Sequence, residues 1–259
     1  MELFDSHCHL DDEKFNEDRK EVIKQIFESG VTKLISAGYS LESSKRALEL
    51  ANKYPQIYTV LGISPNDIGQ NVENIEEEIK QIEMLVQNKK VVGIGEIGLD
   101  YYWNQENKDL QQFAFIKQIE LANKLNLPIV IHTREAVADT LKILKEHPVN
   151  KKGVFHCCPL NLELIKEALK LGFYISYAGP ITFKNSKNAD EAIRLVPDDR
   201  ILIETDSPYL SPEPNRGKRN DSTNVKYMAA KIANVKGYSI EEVAKITYEN
   251  TCRIFEIID

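Results

Sequence analysis

The metal-type side chains of this sequence recur in one kind of position, at the end of a short apolar run. The first run, Leu3-Phe4-Asp5-Ser6-His7-Cys8-His9, closes on two imidazoles two residues apart. In a strand alternate side chains share a face, with backbones about 6 to 7 Å apart at that spacing, so both rings can reach one metal ion. Val91-Val92-Gly93-Ile94-Gly95 runs into Glu96, Pro128-Ile129-Val130-Ile131 into His132, and Gly153-Val154-Phe155 into His156. Arg200-Ile201-Leu202-Ile203-Glu204 runs into Thr205-Asp206. Four of the five histidines and two carboxylates are therefore delivered by strand ends. A buried polar network is the plainer reading of each one alone; their common placement favours a metal centre.

Six ligands exceed what one tetrahedral ion uses and suit two divalent ions about 3.5 to 4 Å apart. Cations that close repel, which calls for a carboxylate between them, and Glu96 is the natural bridge. His7, His9, Glu96 and Asp206 are assigned to one ion, and Glu96, His132 and His156 to the other. Mixed nitrogen and oxygen ligation suits Zn, Mn, Co or Ni, and Mg with added waters, and does not choose among them. Such a pair lowers the pKa of a water it holds and stabilises charge on a phosphoryl or carbonyl oxygen. Glu96 and Asp206 are the candidate catalytic groups, the second as the one that orients or deprotonates that water.

Cationic side chains form a second layer: Arg134 after His132, Lys184 after the seventh strand, and Arg216, Lys218 and Arg219 after the eighth. An anionic substrate would lie against them, although on charge alone a solvated surface loop is the better reading of residues 216–220. Tyr101, Tyr102 and Trp103, just beyond Glu96, are candidates for stacking on bases, with ordinary packing as the alternative. Cys8 alternates with the two histidines and is expected to face away from them, and Cys157 and Cys158 are not needed as ligands. His147 ends a helix and is expected to play no part.

These positions need a frame that brings strand ends together. Helical spacing at Val22, Ile23 and Ile26, over Leu41 to Lys53, at Ile75, Ile79 and Ile82, at Phe113, Ile116 and Ile119, and over 135–146, 160–171 and 189–196 separates eight apolar runs. Ser239 with Glu242 forms a capping box for a last helix. Strands alternating with helices predict a parallel sheet, and eight such units predict a single-domain (β/α)8 TIM barrel with function at the C-terminal strand ends. An open doubly wound sheet is the runner-up; it would spread the ligands along a line. The 259 residues, 42% hydrophobic, suffice for one large core. No apolar run approaches a membrane span, and four cysteines without a framework read as reduced thiols, so a cytoplasmic location is expected. The net charge of -7 argues against a broad non-specific nucleic-acid surface.

The motifs carrying these residues resemble a known family. Asp5-Ser6-His7-Cys8-His9-Leu10, Gly95-Glu96-Ile97-Gly98-Leu99-Asp100-Tyr101-Tyr102, Ile131-His132-Thr133-Arg134-Glu135-Ala136 and Glu204-Thr205-Asp206-Ser207-Pro208-Tyr209-Leu210, followed by Arg216-Gly217-Lys218-Arg219-Asn220, are similar to the TatD metal-dependent deoxyribonucleases. The resemblance implies a TIM barrel of the metal-dependent hydrolase superfamily, two divalent ions on the six residues, and exonucleolytic cleavage of DNA, single-stranded or at 3′ ends. Two stretches depart from the family pattern: Gly62-Ile63-Ser64-Pro65-Asn66 stands where GIHPH is common, and His156-Cys157-Cys158-Pro159-Leu160 where HCFSG is common. An amidohydrolase-like attack on a C–N or ester bond by the same centre is the alternative activity. A non-catalytic scaffold is a third reading, disfavoured because both carboxylates accompany every histidine.

Overall fold

The structure, a computed structural model, describes residues 1–258. Its eight strands are β1 (Leu3–Cys8), β2 (Val31–Ala37), β3 (Ile57–Leu61), β4 (Val91–Asp100), β5 (Ile129–Arg134), β6 (Gly153–Phe155), β7 (Tyr174–Tyr177) and β8 (Ile201–Ile203). They pair in parallel in chain order. The ring is drawn together where β1 meets the chain leaving β8: Ser6 Oγ donates to Ile203 O at 2.9 Å, Asp206 N to His7 O at 3.0 Å, and His9 N to Ser207 O at 2.7 Å. The result is a nearly closed TIM barrel, not an open doubly wound sheet.

Seven helices fill the crossovers: α1 (Arg19–Glu28), α2 (Leu41–Lys53), α3 (Val72–Leu85), α4 (Lys108–Leu125), α5 (Val137–Glu146), α6 (Leu162–Lys170) and α7 (Ala189–Leu195). Two more, α8 (Val225–Lys236) and α9 (Ile240–Phe255), follow β8. Helix α9 starts at the expected capping box, with Glu242 N donating to Ser239 Oγ at 3.2 Å and Ser239 N to Glu242 Oε2 at 2.8 Å. Helix α8 is an addition to the expected set. Its buried face includes Ala229 and Ala233, small residues that contribute little apolar contrast. On α4 the buried face runs through Ala114, Phe115, Gln118 and Ile119, so Phe113 and Ile116 are half-buried rather than central.

The barrel interior is built in layers. Phe4, Ile35, Val60, Val130, Val154, Tyr174 and Leu202 form an apolar floor, sealed from below by Ile254, Phe255 and Ile257 at the end of α9. Because strand side chains alternate, the inward residues of the next layer stand two positions further on. They include Ser6, Ser176, His132, His156 and Glu204, so the lumen turns polar towards its C-terminal mouth.

Two bulges break the alternation where the centre needs it. Between β1 and β2 the pairing passes from Asp5 opposite Leu34 to Cys8 opposite Ser36, three residues against two. Between β4 and β5 it passes from Ile94 opposite Ile129 to Ile97 opposite Ile131, again three against two. An extra residue in one strand re-aims the side chains beyond it. His7 and Glu96 lie in these two steps, and both turn to the lumen. Strand β4 does not end at Glu96, as expected from its apolar run, but continues to Asp100 beside β5. Gly98 permits this: it has φ +139°, and a Cβ there would stand 2.0 Å from His132 O.

If the end of α9 seals the floor, Phe255→Ala should leave a cavity beneath the lumen and cost about 3–5 kcal/mol. Equilibrium urea unfolding reads that loss, and a cost below about 1 kcal/mol would mean that the floor closes without it.

Candidate metal centre

The six candidate ligands converge above the apolar floor. His7 Nε2 and His9 Nε2 are 3.3 Å apart and lie 3.4 and 3.5 Å from Glu96 Oε2. Asp206 Oδ1 stands 3.7 Å from His7 Nε2 and 3.3 Å from His9 Nε2. On the other side of the same carboxylate, Glu96 Oε1 is 3.1 Å from His132 Nδ1 and 3.4 Å from His156 Nε2, and those two nitrogens are 3.3 Å apart. A tetrahedron with metal–ligand bonds of about 2.0–2.1 Å has edges of about 3.3 Å. Both triads have that edge length, so the donor set fits a divalent cation.

The outer ring nitrogens set the same direction. His9 Nδ1 lies 2.9 Å from Ala37 O, which can only accept, so this nitrogen carries the proton and Nε2 turns a lone pair inward. His132 Nε2 faces Asp100 Oδ2 at 2.9 Å and leaves Nδ1 for the centre. His156 Nδ1 is 3.3 Å from Glu204 Oε1, a charge contact too poorly aligned to be a good hydrogen bond. Carboxylates and carbonyls behind ligating imidazoles fix the tautomer and raise ligand basicity.

Without a cation the cluster balances its charge with protons. Burial works against charge on His9, yet its bond to Asp206 and the charges of Glu96 and Asp206 push it up to about 9. His132 and His156 are raised too, against burial, by Asp100 and Glu96 and by Glu96 and Glu204 respectively. His7, desolvated and facing His156, is lowered. Burial alone would raise Glu96, but the charge of His156 and bonds from His132, His156 and His7 hold it well below the carboxylate range. Asp206 is lowered against burial in the same way, chiefly by His9. A metal ion would displace these protons, as ligation requires.

A cavity of about 740 Å³ opens over this cluster, with His9, Glu96, His132, His156 and Asp206 at its base and Tyr39, Asn66, Trp103, Arg134 and Tyr209 among its walls. Residues 4–256 match the family described as TatD related DNase. The chain belongs to that family. It is 43% identical over 256 residues to YabD of Bacillus subtilis (strain 168), an uncharacterized metal-dependent hydrolase, covering 98% of this chain and 99% of the relative. It is 38% identical over 261 residues to YcfH of Escherichia coli (strain K12), described in the same words, covering 99% and 97%. Among solved structures, YJJV, a TatD homolog from Escherichia coli k12, superposes with a TM-score of 0.92 at 26% identity over 99% of this chain and 98% of that one. The protein is therefore a TatD-family metal-dependent hydrolase.

The cationic layer of this TatD-family chain is dispersed. Arg134 is on the cavity wall. Lys184 lines a separate pocket with Phe183, Asn188 and Arg194. Arg216 lies over the Phe183 ring at 4.2 Å and reaches Asn185, so the loops after β7 and β8 touch. Lys218 is exposed. Arg219 turns away and grips Asp18 through two bonds of 2.9 and 2.6 Å. Of the aromatics, Tyr101 is buried with its hydroxyl on Asp139, whereas Tyr102 and Trp103 are exposed. Ser64 donates to Asp67 at 2.7 Å and Asn66 to Asp100 at 3.2 Å, so neither polar group points freely into the cavity. Cys8 packs in the outer core as expected.

Sequence reasoning passed over Asp100 and Glu204 as members of the site. The signal was present: Asp100 stands four residues after Glu96 on one strand, and Glu204 two before Asp206. Asp100 bonds to the His132 ring and Glu204 stands beside that of His156, neither pointing to the centre, and which carboxylate backs which ring depends on the neighbouring strand. Asp100→Asn should weaken divalent-metal affinity about 10–100-fold, measured by chelator competition, because the amide no longer fixes the His132 ring. An unchanged affinity would make that pair incidental.

The raised rings also predict a pH dependence for chelator-treated protein. His9, His132 and His156 keep protons that the unfolded chain releases near 6.5, so their stabilisation is full below that pH and is lost as pH rises, through about 9 for His9. His7, lowered in the folded protein, is neutral there over this window. Melting temperature should fall from pH 6.5 to 9 without metal and change less with metal saturating, since the ligands are then deprotonated throughout. A metal-free melting temperature that climbs over the window would contradict this assignment.

Proposed function

We propose that this TatD-family hydrolase is a phosphodiesterase that cleaves DNA at its ends. It would hold two divalent ions, one on His7, His9, Glu96 and Asp206 and the other on Glu96, His132 and His156. The observation that carries the reading is the division of Glu96: Oε2 faces the pair from β1 at 3.4 and 3.5 Å, and Oε1 faces His132 and His156 at 3.1 and 3.4 Å. That is the disposition of a carboxylate shared between two cations.

When bound, such a metal pair supplies an activated water and Lewis-acid stabilisation of the phosphoryl oxygen. The remaining work falls to the chain. Asp206, a carboxylate and so ionised at neutral pH, would accept the proton released by the attacking water and return it to the leaving oxygen. Asp100 keeps the His132 ring in register, and Glu204 places a carboxylate beside the His156 ring. Arg134 presents a permanent cation to the substrate phosphate at the cavity wall. Lys184, Arg216 and Lys218 would serve a longer strand as it leaves over the β7 and β8 loops. Zn, Mn, Co and Ni suit the mixed donor set. A cytoplasmic location accords with four free thiols, and no described helix is long and apolar enough to cross a membrane.

The test is a side-by-side assay of metal-loaded protein on single-stranded oligonucleotides and on amide and carboxylic-ester substrates. DNA should be the preferred substrate, and Asp206→Asn at matched metal content should lower its turnover by about 10²–10⁴-fold. Turnover confined to the acyl substrates would replace this reading with the amidohydrolase-like one.

A further inference from the structure

One wall of the cavity is not used by the metal chemistry. It is formed by the chain leaving β4, where Tyr102 and Trp103 are 48% and 67% exposed, and by Arg134 at the end of β5. The Arg134 guanidinium lies 3.7 Å from the centre of the Tyr102 ring and 5.5 Å from that of Trp103. The two rings meet edge to face, 4.9 Å apart at 87°. Their backbone amides donate to Asp100 Oδ1 at 3.0 and 3.2 Å, while Asp100 Oδ2 is bound to His132. The wall is thus anchored on the carboxylate that orients a candidate metal ligand, and Trp103 and Arg134 border the same cavity as that ligand.

Two properties of this wall call for an occupant. Trp103 holds most of its large apolar body in water beside a polar site, with the Tyr102 ring and the Arg134 guanidinium against it. Arg134 forms no ion pair among the described residues, in a chain with 40 acidic and 33 basic residues. Arg219, by contrast, is spent on Asp18. A guanidinium held by aromatic faces rather than by a carboxylate keeps its N–H edge for an anion, with the fork geometry that suits phosphate.

Resting on the phosphodiesterase reading above, we propose that this wall is a nucleobase platform. Trp103 stacks on the unpaired base of a nucleotide beside the scissile phosphate, and Arg134 binds the phosphate next to it. An aromatic face paired with a phosphate-binding cation matches the repeat of a single strand, in which each base offers a π-face and each linkage an anion. Stacking does not read hydrogen-bond edges, so the platform selects for a base that is free of its partner and not for a sequence. A paired duplex end has its base already stacked and is the poorer substrate.

The sole tryptophan of the chain is Trp103, which makes its fluorescence a direct report. Chelator-treated full-length protein, which cannot turn over substrate, is titrated with a thymidine oligonucleotide and with an abasic deoxyribose-phosphate strand of equal length. Saturable quenching by the first and none by the second is expected. In the metal-loaded enzyme, Trp103→Ala should lower kcat/KM on single-stranded DNA by roughly 5- to 150-fold, the range of one lost base–aromatic stack, with Trp103→Phe restoring most of it. On strands whose 3′- or 5′-terminal nucleotide is abasic, one of the two ends should show less than about twofold sensitivity to Trp103→Ala, because the partner of the stack is already missing. Equal quenching by both strands, or an equal loss on base-bearing and both abasic substrates, overturns the platform while leaving the phosphodiesterase reading intact. Failure of the enzyme to cleave any DNA overturns that reading instead, and the quenching result then decides the platform alone.

Discussion

The centre depends on one buried carboxylate that its surroundings must neutralise. Glu96 is 7% exposed inside the barrel, where an uncompensated carboxylate would be costly. Four imidazoles from β1, β5 and the end of β6 answer that charge from two sides, and Asp206 adds a second negative group that raises the demand. The charge can be met by protons on the rings or by metal in their place. Both solutions use the same lone pairs, which is why the geometry of a metal site persists in a cluster of hydrogen-bonded and ion-paired side chains.

Backbone irregularity makes this convergence possible. A regular β1 would carry Phe4 and Ser6 inward and turn His7 outward, and a regular β4 would do the same to Glu96 after Gly95. The extra residue in each strand reverses that outcome at the two positions where the centre needs a side chain. His132 and His156 need no such device, since each stands two residues beyond a lumen valine, Val130 and Val154, and follows ordinary alternation. The centre is thus assembled from two regular strands, two bulged ones and, for Asp206, the chain leaving β8.

Around the centre, groups that look available are largely engaged. Ser64, Asn66 and Arg219 are tied to Asp67, Asp100 and Asp18. Asp100 joins three parts of the site, receiving Asn66, facing the His132 ring and accepting the amides of the aromatic loop. Arg134 differs from these in lying on the Tyr102 and Trp103 rings, with no ion pair among the described residues.

The sequence alone determined the architecture and the identity of the candidate ligands. Eight apolar runs separated by helical periodicity leave few arrangements other than a parallel barrel, and histidines and carboxylates at the ends of those runs are conspicuous because buried strands otherwise exclude them. The helix over Leu41 to Lys53, the strand over Gly153 to Phe155 and the capping box at Ser239 were equally legible, since each rests on local chemistry. What only the tertiary structure decided depends on pairing between strands. The length of β4 beyond Glu96, the bulges, and the contacts of Asp100 with His132 and Glu204 with His156 follow from register, which no local pattern encodes. The same reason separates Arg134 from Arg219: both read as cations in basic or polar loops, and only the packed molecule puts one against an aspartate and the other against two rings at the cavity wall.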